Sequence, residues 1–131
     1  AMGQELVDAT LASGGRIVQV NVWRPISGPV LRTPLALADA GRIAPSDLIP
    51  TDQRFPDRTG EIYHLSHVPE QRWYWAPLMS RDEVLLIKGW DSLDDGRARF
   101  TPHGAFELPD HSEALPPRDS IEVRTYVIYK G

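Results

Sequence analysis

The chain contains no cysteine among its 131 residues. Disulfide bonds and thiolate metal ligands are therefore excluded, and any metal must be held by histidine, carboxylate or water. No apolar run reaches the roughly 18 residues that a membrane-spanning helix needs, and no signal-peptide pattern opens the sequence. We therefore expect a cytoplasmic protein with no membrane partner.

Clusters of positive charge are absent as well. The formal net charge is -4 and the isoelectric point about 5.5, with no run of lysine and arginine anywhere. This pattern argues against nucleic acid as a partner. A chain of this length is long enough to bury a hydrophobic core, and we expect residues 1–131 to form a single domain.

Turn-forming residues are abundant and spread along the chain, with 12 prolines and 10 glycines. Many short elements joined by defined turns are typical of a mainly β domain. One short helix is predicted at Gln4–Ser13, where Gly14 and Gly15 supply the C-terminal cap.

The segment Arg16–Trp23 alternates with period two and predicts a strand with two different faces. One face is purely apolar, with Val18, Val20 and Val22, and the other is mixed, with Ile17, Gln19, Asn21 and Trp23. Such a strand suits a sandwich or barrel in which the mixed face lines a cavity. Asn21 is thus a candidate site residue, although a cross-strand hydrogen bond is the commoner role for such an amide.

Other segments give coarser predictions. We expect a hairpin made of Gly60–Val68 and Arg72–Ala76, and a buried strand at Val84–Trp90. Between Arg42 and Arg58 the prolines predict an irregular connection, either a functional lid or a packed excursion. The last strand, Arg118–Tyr129, alternates over its full length.

His103 lies in a short predicted strand, Phe100–Phe106, and Arg118 with Ser120 follows about fifteen residues later. This pairing makes chemical sense where an imidazole binds a metal while a guanidinium and a hydroxyl hold the far carboxylate of an oxo-acid. The alternative is a histidine with a purely structural role, which is the more frequent situation for a lone histidine in a strand.

A metal at His103 needs further ligands, and the usual arrangement takes two of them from a His-x-Asp or His-x-Glu pair. Only His111-x-Glu113 has that spacing, and it lies in a proline-rich loop with no strand to fix its direction. His64 and His67 point to opposite faces of their strand, so they do not share a metal. The sequence therefore offers one metal ligand without a convincing second.

Two arginines lie on the same face of the last strand. Arg118 and Arg124 are six residues apart, which separates them by roughly 20 Å, so they do not serve one small carboxylate together. Arg118 has Ser120 beside it and is the better anion binder. Arg124 is a second candidate, and its alternative role is an ion pair with Glu122 or a cross-strand carboxylate.

Seven ordered motifs cover nearly the whole chain and resemble the CmcJ/AsaB family of hydroxylase/desaturase-like proteins. The motifs are NVWRPI (21–26), PLALAD (34–39), GEIYHLSH (60–67), RWYW (72–75), DEVLLIKGWDS (82–92), RARFTPHGAF (97–106) and PPRDSIEVR (116–124). The family is similar to gibberellin desaturases and belongs to bacterial and fungal secondary metabolism.

The resemblance implies a double-stranded β-helix, or jelly roll, that uses Fe(II) and 2-oxoglutarate to oxidise a C–H bond of a small molecule. On that template His103 resembles the distal metal histidine. Arg118 with Ser120 resembles the clamp for the cosubstrate's distal carboxylate. Asn21 lies where a strand reaches the same pocket, and Arg124 is the less certain cofactor-binding candidate.

Members of that family are about twice as long, and the resemblance places this chain in the C-terminal half, after the half with the His-x-Asp pair. We expect the isolated chain to bind iron weakly and to be inactive, and a homo-oligomer or a partner chain to supply what is missing. Two alternatives remain open. One is a non-catalytic jelly-roll module that assembles with another chain through its open sheet edges; the other is a metal-free barrel that binds small molecules.

Overall fold

The computed structural model describes residues 3–109 and 113–131. Within these ranges it contains one helix and eight strands, with single turns of 3-10 helix at Ala40–Arg42 and Pro45–Asp47. In chain order the elements are α1 (Gln4–Ala12), β1 (Arg16–Pro25), β2 (Leu35–Ala38), β3 (Leu48–Arg54), β4 (Thr59–Leu65), β5 (Trp73–Trp75), β6 (Leu85–Asp91), β7 (His103–Ala105) and β8 (Ser120–Tyr129). The predicted mainly β fold with a short N-terminal helix is confirmed.

Helix α1 ends as its sequence predicts. Ser13 is the C-cap residue; its backbone N–H donates to the carbonyl of Ala9, and the N–H of Gly14 donates to the carbonyl of Leu11. Gly14 follows with φ of 77°, a left-handed conformation that glycine adopts without a steric penalty. The helix therefore ends at Ala12, and β1 begins at Arg16.

Two antiparallel three-stranded sheets form the body of the fold, with strand orders β6-β1-β8 and β5-β2-β7. Large apolar side chains from both sheets and from the loops between them meet in the core. The buried core cluster consists of Trp23, Val30, Leu35, Met79 and Ile87. Burial of this cluster holds the two sheets together face to face.

Strand β1 is the centre of its sheet and sets the direction of its neighbours. Asn21 lies opposite Arg124 of β8 and opposite Ile87 of β6. Because directly opposed residues share a face, Asn21 and Arg124 point the same way as the core residue Trp23. A bulge at Gln19/Val20 leaves Gly89 of β6 without a partner in β1.

The predicted hairpin of Gly60–Val68 with Arg72–Ala76 is wrong. Strand β4 instead pairs with β3, and β5 pairs with β2 in another sheet. Strand β3 lies inside the segment 42–58 that the prolines predicted to be irregular. Pro50 cannot donate to a ladder, but the β3–β4 sheet has only two strands, so both are edges on which proline is tolerated.

The predicted strand at Val84–Trp90 forms as β6, but only one of its faces is buried. Ile87 is 1% exposed, whereas its neighbour Leu86 is 69% exposed. An unbroken apolar run does not distinguish a strand covered on both faces from one that presents an apolar face to the outside.

No helix in residues 3–109 and 113–131 is long and apolar enough to cross a membrane.

Candidate functional site

A cavity of about 410 Å³ brings three of the predicted site residues together: His103, Asn21 and Arg124. Its polar wall is made by strands β1 and β8 and by the segment that leads into β7. The β3–β4 hairpin and its surroundings line the rest of the cavity, mostly with hydrophobic side chains: Leu48, Ile62, Tyr63, Leu65, Trp73 and Phe100, together with His64. A cavity with one polar and one apolar wall suits a ligand that is polar at one end.

His103 enters the cavity from the first position of β7. Its Nδ1 lies 2.9 Å from the backbone carbonyl oxygen of Thr101. Because a carbonyl only accepts, Nδ1 carries the proton and the lone pair is on Nε2. A histidine that donates its other ring N–H to a carbonyl is oriented as metal-binding histidines usually are.

Asn21 is only 3% exposed, and its Oδ1 has no hydrogen-bond partner among the described residues. Leaving a buried amide oxygen unpaired costs free energy, of order 1–3 kcal/mol. The side chain also lines the cavity. The cross-strand hydrogen bond that is the usual role of such an amide therefore does not account for this oxygen.

Arg124 lies directly across from Asn21 on β8. Its Nε is 3.3 Å from Glu122 Oε1, an exposed ion pair of the kind expected for a strand arginine. Exposed pairs of this geometry contribute little free energy, so the guanidinium remains available to a bound carboxylate. Of the two candidate arginines, Arg118 and Arg124, it is Arg124 that lines the cavity.

Arg118 and Ser120 are not brought to the cavity. Ser120 pairs with Pro25, four residues along β1 from Asn21, which is roughly 13 Å at the usual rise of a strand. Arg118 donates from Nη1 to the carbonyl of Thr33 at 2.8 Å, and its guanidinium lies 5.5 Å from the centre of the Trp23 ring. These contacts give Arg118 a structural role in the described chain.

Three further residues of the polar wall have only weak sequence signals. Gln19 shares the mixed face of β1 with Asn21, and this alternation is the one signal that points to it. Thr101 acts through its backbone carbonyl, which no side-chain pattern reveals. Gly89 lies in an apolar run, and a Cβ there would come within 3.1 Å of Gln19 Cδ and 3.3 Å of Asn21 Oδ1.

The residues of the described ranges provide only part of a metal site. No group of three or more histidine, aspartate and glutamate side chains in residues 3–109 and 113–131 is placed to hold a metal ion. His111 of the His111-x-Glu113 spacing lies outside the described residues. His103 and His64 both line the cavity, and neither belongs to a group of three possible metal ligands in the described residues.

A protein family described as "Oxidoreductase/YMDC permease-like domain" matches residues 2–128. The chain belongs to this family. It is 41% identical over 120 residues to aspirochlorine biosynthesis protein N of Aspergillus oryzae, a match that covers 89% of this chain and 50% of the relative. The hydroxylase/desaturase asaB of Aspergillus flavus is 38% identical over 125 residues, which cover 85% of this chain and 55% of that protein.

A solved structure extends the likeness to three dimensions. The iron and alpha-ketoglutarate-dependent endoperoxidase NvfI superposes with a TM-score of 0.82 at 35% identity, over 98% of this chain and 47% of the NvfI chain. These matches confirm the resemblance to hydroxylase/desaturase proteins and the cupin-type β fold. This chain spans about half the length of the curated relatives that it matches.

Proposed function

We propose that this chain is the cosubstrate-binding half of an Fe(II)- and 2-oxoglutarate-dependent oxidoreductase of the hydroxylase or desaturase type. The observation that carries the proposal is the meeting of His103, Asn21 and Arg124 in one cavity. The relatives support the cofactors, since the name of NvfI states dependence on iron and alpha-ketoglutarate.

Each of the three residues has a distinct role in this proposal. His103 offers Nε2 to the metal while the Thr101 carbonyl holds the ring in place. Arg124 binds a carboxylate of 2-oxoglutarate in a charge-assisted pair. The buried Oδ1 of Asn21 accepts a hydrogen bond from a donor in the filled cavity, which removes its unpaired state.

Arg124 replaces Arg118 in our assignment of the carboxylate anchor. Arg118 is already engaged by Thr33 and Trp23. Ser120 is the first residue of β8 and lies opposite Pro25, so we no longer assign it a role in binding the carboxylate.

The apolar wall gives the cavity its second property. Ile62, Trp73 and Phe100 offer a surface for the carbon skeleton of a small substrate and reduce the water around it. Bound iron and 2-oxoglutarate would allow dioxygen, the oxidant, to attack an unactivated C–H bond: 2-oxoglutarate would give up two electrons and leave as succinate and CO₂, and the substrate would give up the other two. The remaining metal ligands come, in this proposal, from the half of the family fold that this chain does not match.

An anaerobic titration with Fe(II) and 2-oxoglutarate tests the assignment through the weak visible charge-transfer band of the iron chelate. Because the described residues lack a full set of metal ligands, we expect a weak band that forms only at high iron concentration in the wild-type chain, and its loss in His103→Ala. A band that survives in His103→Ala would contradict the role of this histidine.

The two arginines form a matched pair of variants for the same titration. Replacing a charge-assisted hydrogen bond with a neutral one weakens binding by roughly 10- to 100-fold. We therefore expect Arg124→Gln to raise the 2-oxoglutarate concentration at the midpoint by that factor and Arg118→Gln to leave it within about twofold. The opposite ranking would return the anchor to Arg118.

A second candidate function is a non-catalytic module that assembles with another chain. The exposure of Leu86 and of its neighbours on the outside of the β6-β1-β8 sheet favours it. If the wild-type chain gives no chelate band even at millimolar iron, this second function is preferred.

A further inference from the structure

A second cavity, of about 460 Å³, lies on the β5-β2-β7 sheet. We call this cavity the aromatic slot. None of the described residues that line it carries a charge, so the slot suits an uncharged ligand. The lining residues are Ala36, Trp73, Trp75, Gly104, Ala105 and Phe106.

The register of the sheet places aromatic rings beside a floor of small residues. Ala36 lies opposite Trp75 of β5 on one side and opposite Gly104 of β7 on the other. Because directly opposed residues share a face, these three residues form one row across the sheet. Trp73 comes two residues before Trp75 and therefore points to the same face. The floor of the slot is thus Ala36 and Gly104, and indole rings stand at its side.

The rings hold a fixed arrangement and still leave apolar surface open. The rings of Trp75 and Phe106 meet edge to face, with their centres 5.6 Å apart and their planes at 75°. This is a favourable geometry for an aromatic pair. Trp73 and Trp75 nevertheless remain 42% and 39% exposed. A further ring in the slot would cover this surface.

Gly104 keeps the floor of the slot bare. It is not among the described glycines with positive φ, so the backbone conformation does not require a glycine there. An added Cβ would meet nothing within 4 Å, so packing inside the described chain does not require one either. Glycine within a strand often marks a place where a ligand approaches the backbone closely. An occupant of the slot would account for the missing side chain.

The size of the slot indicates a small molecule as that occupant. Ligand cavities typically measure roughly 300–1,000 Å³ and are lined mainly by hydrophobic and aromatic side chains. Stable contacts between proteins use roughly 20–30 residues on each side, far more than the six that line the slot.

We propose that the aromatic slot is a binding site for a flat, uncharged ring system of a small molecule. The ring contacts the indoles of Trp73 and Trp75 and lies over Gly104. Trp73 also lines the cavity that contains His103, so the ring is held next to the candidate site. The inference goes beyond the function proposed above and does not rest on iron or 2-oxoglutarate binding.

A fluorescence titration of the full chain with N-phenyl-1-naphthylamine tests the proposal. This probe is uncharged and aromatic, and its emission rises in apolar surroundings. We expect saturable binding of one molecule per chain. The control ligand, 1-anilinonaphthalene-8-sulfonate, has the same rings and a negative charge. We expect it to bind at least about tenfold more weakly, because the slot offers no cation to its sulfonate.

Two variants change the slot in different ways. Trp75→Leu removes a ring, and Gly104→Val fills the floor at a strand position where a β-branched residue is favourable and an added Cβ meets no neighbour. We expect each to weaken binding of the uncharged probe at least about tenfold. Tyr74→Leu is the matched control, since Tyr74 is 58% exposed and points to the other face of β5. It should change binding less than about twofold.

Arg124→Gln separates this proposal from the proposed function. It should weaken 2-oxoglutarate binding and leave probe binding within about twofold, so each proposal can fail without the other. Circular dichroism of each variant establishes that lost binding does not reflect a lost fold.

Three outcomes would overturn the proposal. They are the absence of saturable probe binding to the wild-type chain, binding to Gly104→Val as tight as to the wild type, and a loss in Tyr74→Leu as large as that in Trp75→Leu. A wild-type dimer in sedimentation velocity that the probe dissociates would assign the slot to a second copy instead.

Discussion

Asp91 is a buried carboxylate held by two cations at the end of β6. It is 2% exposed, with Arg16 Nε at 2.9 Å and Lys88 Nζ at 3.1 Å, and it also accepts from the backbone N–H of Leu93. The hydrogen bonds from Arg16 hold the pKa of Asp91 well below its ordinary value, against burial, which acts to raise it. Asp91 thus ties β1 to β6 at the end of the sheet next to α1.

The depressed pKa gives a prediction about acid stability. A carboxyl whose pKa is lower in the folded state contributes stability that is complete above its unfolded pKa, about 3.9, and is lost as the pH falls below that value toward the folded pKa. We expect Asp91→Asn to lower the free energy of unfolding at pH 7 by about 3 kcal/mol, because it removes one partner of a buried pair. It should also flatten the loss of stability between about pH 5 and pH 2.

Urea unfolding across this pH range is the measurement. Asp95→Asn is the control, since Asp95 pairs with Arg97 at the surface, where both side chains are substantially exposed. If both variants lose the same free energy of unfolding, the burial of Asp91 does not increase its contribution to stability.

Gly89 lies at a position with little room for a side chain. An added Cβ would press on the flexible end of Gln19 and on Asn21 Oδ1, both in the polar wall of the cavity. We expect Gly89→Ala to lower stability by no more than about 1 kcal/mol but to weaken 2-oxoglutarate binding about tenfold, through misplaced amides.

Gly104→Ala is the matched control, because a Cβ at that position meets nothing within 4 Å. Thermal unfolding and the midpoint of the anaerobic 2-oxoglutarate titration separate the two effects. If Gly89→Ala binds as the wild type does, the amides of Gln19 and Asn21 do not contact the cosubstrate.

At the scale of elements, the β3–β4 hairpin is the most lightly attached pair of strands in the described chain. It forms a sheet of its own, and most of its residues are exposed. It nevertheless contributes Leu48, Ile62 and Leu65 to the cavity. A hairpin of two strands without a broad buried face is only marginally stable by itself.

We therefore expect the backbone amides of β3 and β4 to exchange with solvent at least about tenfold faster than those of β1, which is paired on both sides. Hydrogen exchange read by mass spectrometry checks this. A ligand in the cavity should slow exchange in the hairpin more than in β1. If the hairpin amides are protected from exchange as strongly as those of β1 in the ligand-free chain, the hairpin is not the less stable part of the fold.

The sequence predicts elements well where one local pattern decides them. The alternation of Arg16–Trp23 gave both the strand and the face that lines a cavity, and Gly14 gave the end of α1. Local patterns did not predict strand β3, because its segment has few apolar residues and contains Pro50. A proline is tolerated in a strand only at the edge of a sheet. It also paired β4 with β5, since pairing depends on contacts that no local pattern contains.

The choice between Arg118 and Arg124 shows the same limit at the candidate site. Arg118 comes two residues before β8 and Arg124 lies within it. Their spacing predicts that they do not act together, but only the register between β1 and β8 shows that Arg124 lies opposite Asn21. The neighbouring serine made Arg118 the better anion binder on local grounds. The contacts with Thr33 and Trp23, which occupy Arg118, are distant in sequence.

At the scale of the whole molecule, the two faces of the β6-β1-β8 sheet differ: one lines the cavity, and the other exposes apolar side chains such as Leu86 and Val123. On the inner side, the cavity is lined by His103, His64 and Arg124, and no group of three possible metal ligands is found in residues 3–109 and 113–131. On the outer side, apolar residues are exposed to a degree typical of surfaces that other polypeptide covers. The candidate site therefore lies on the inner face of this sheet.

This arrangement predicts the behaviour of the isolated chain in a turnover assay. One histidine does not replace a set of three ligands, so we expect no formation of succinate from 2-oxoglutarate above the rate of free iron when the chain alone receives Fe(II), 2-oxoglutarate and oxygen. Addition of the unmatched half of NvfI should raise that rate, and His103→Ala in this chain should abolish the increase. Succinate formation by the isolated wild-type chain that is lost in His103→Ala would show instead that this half carries a working iron site by itself.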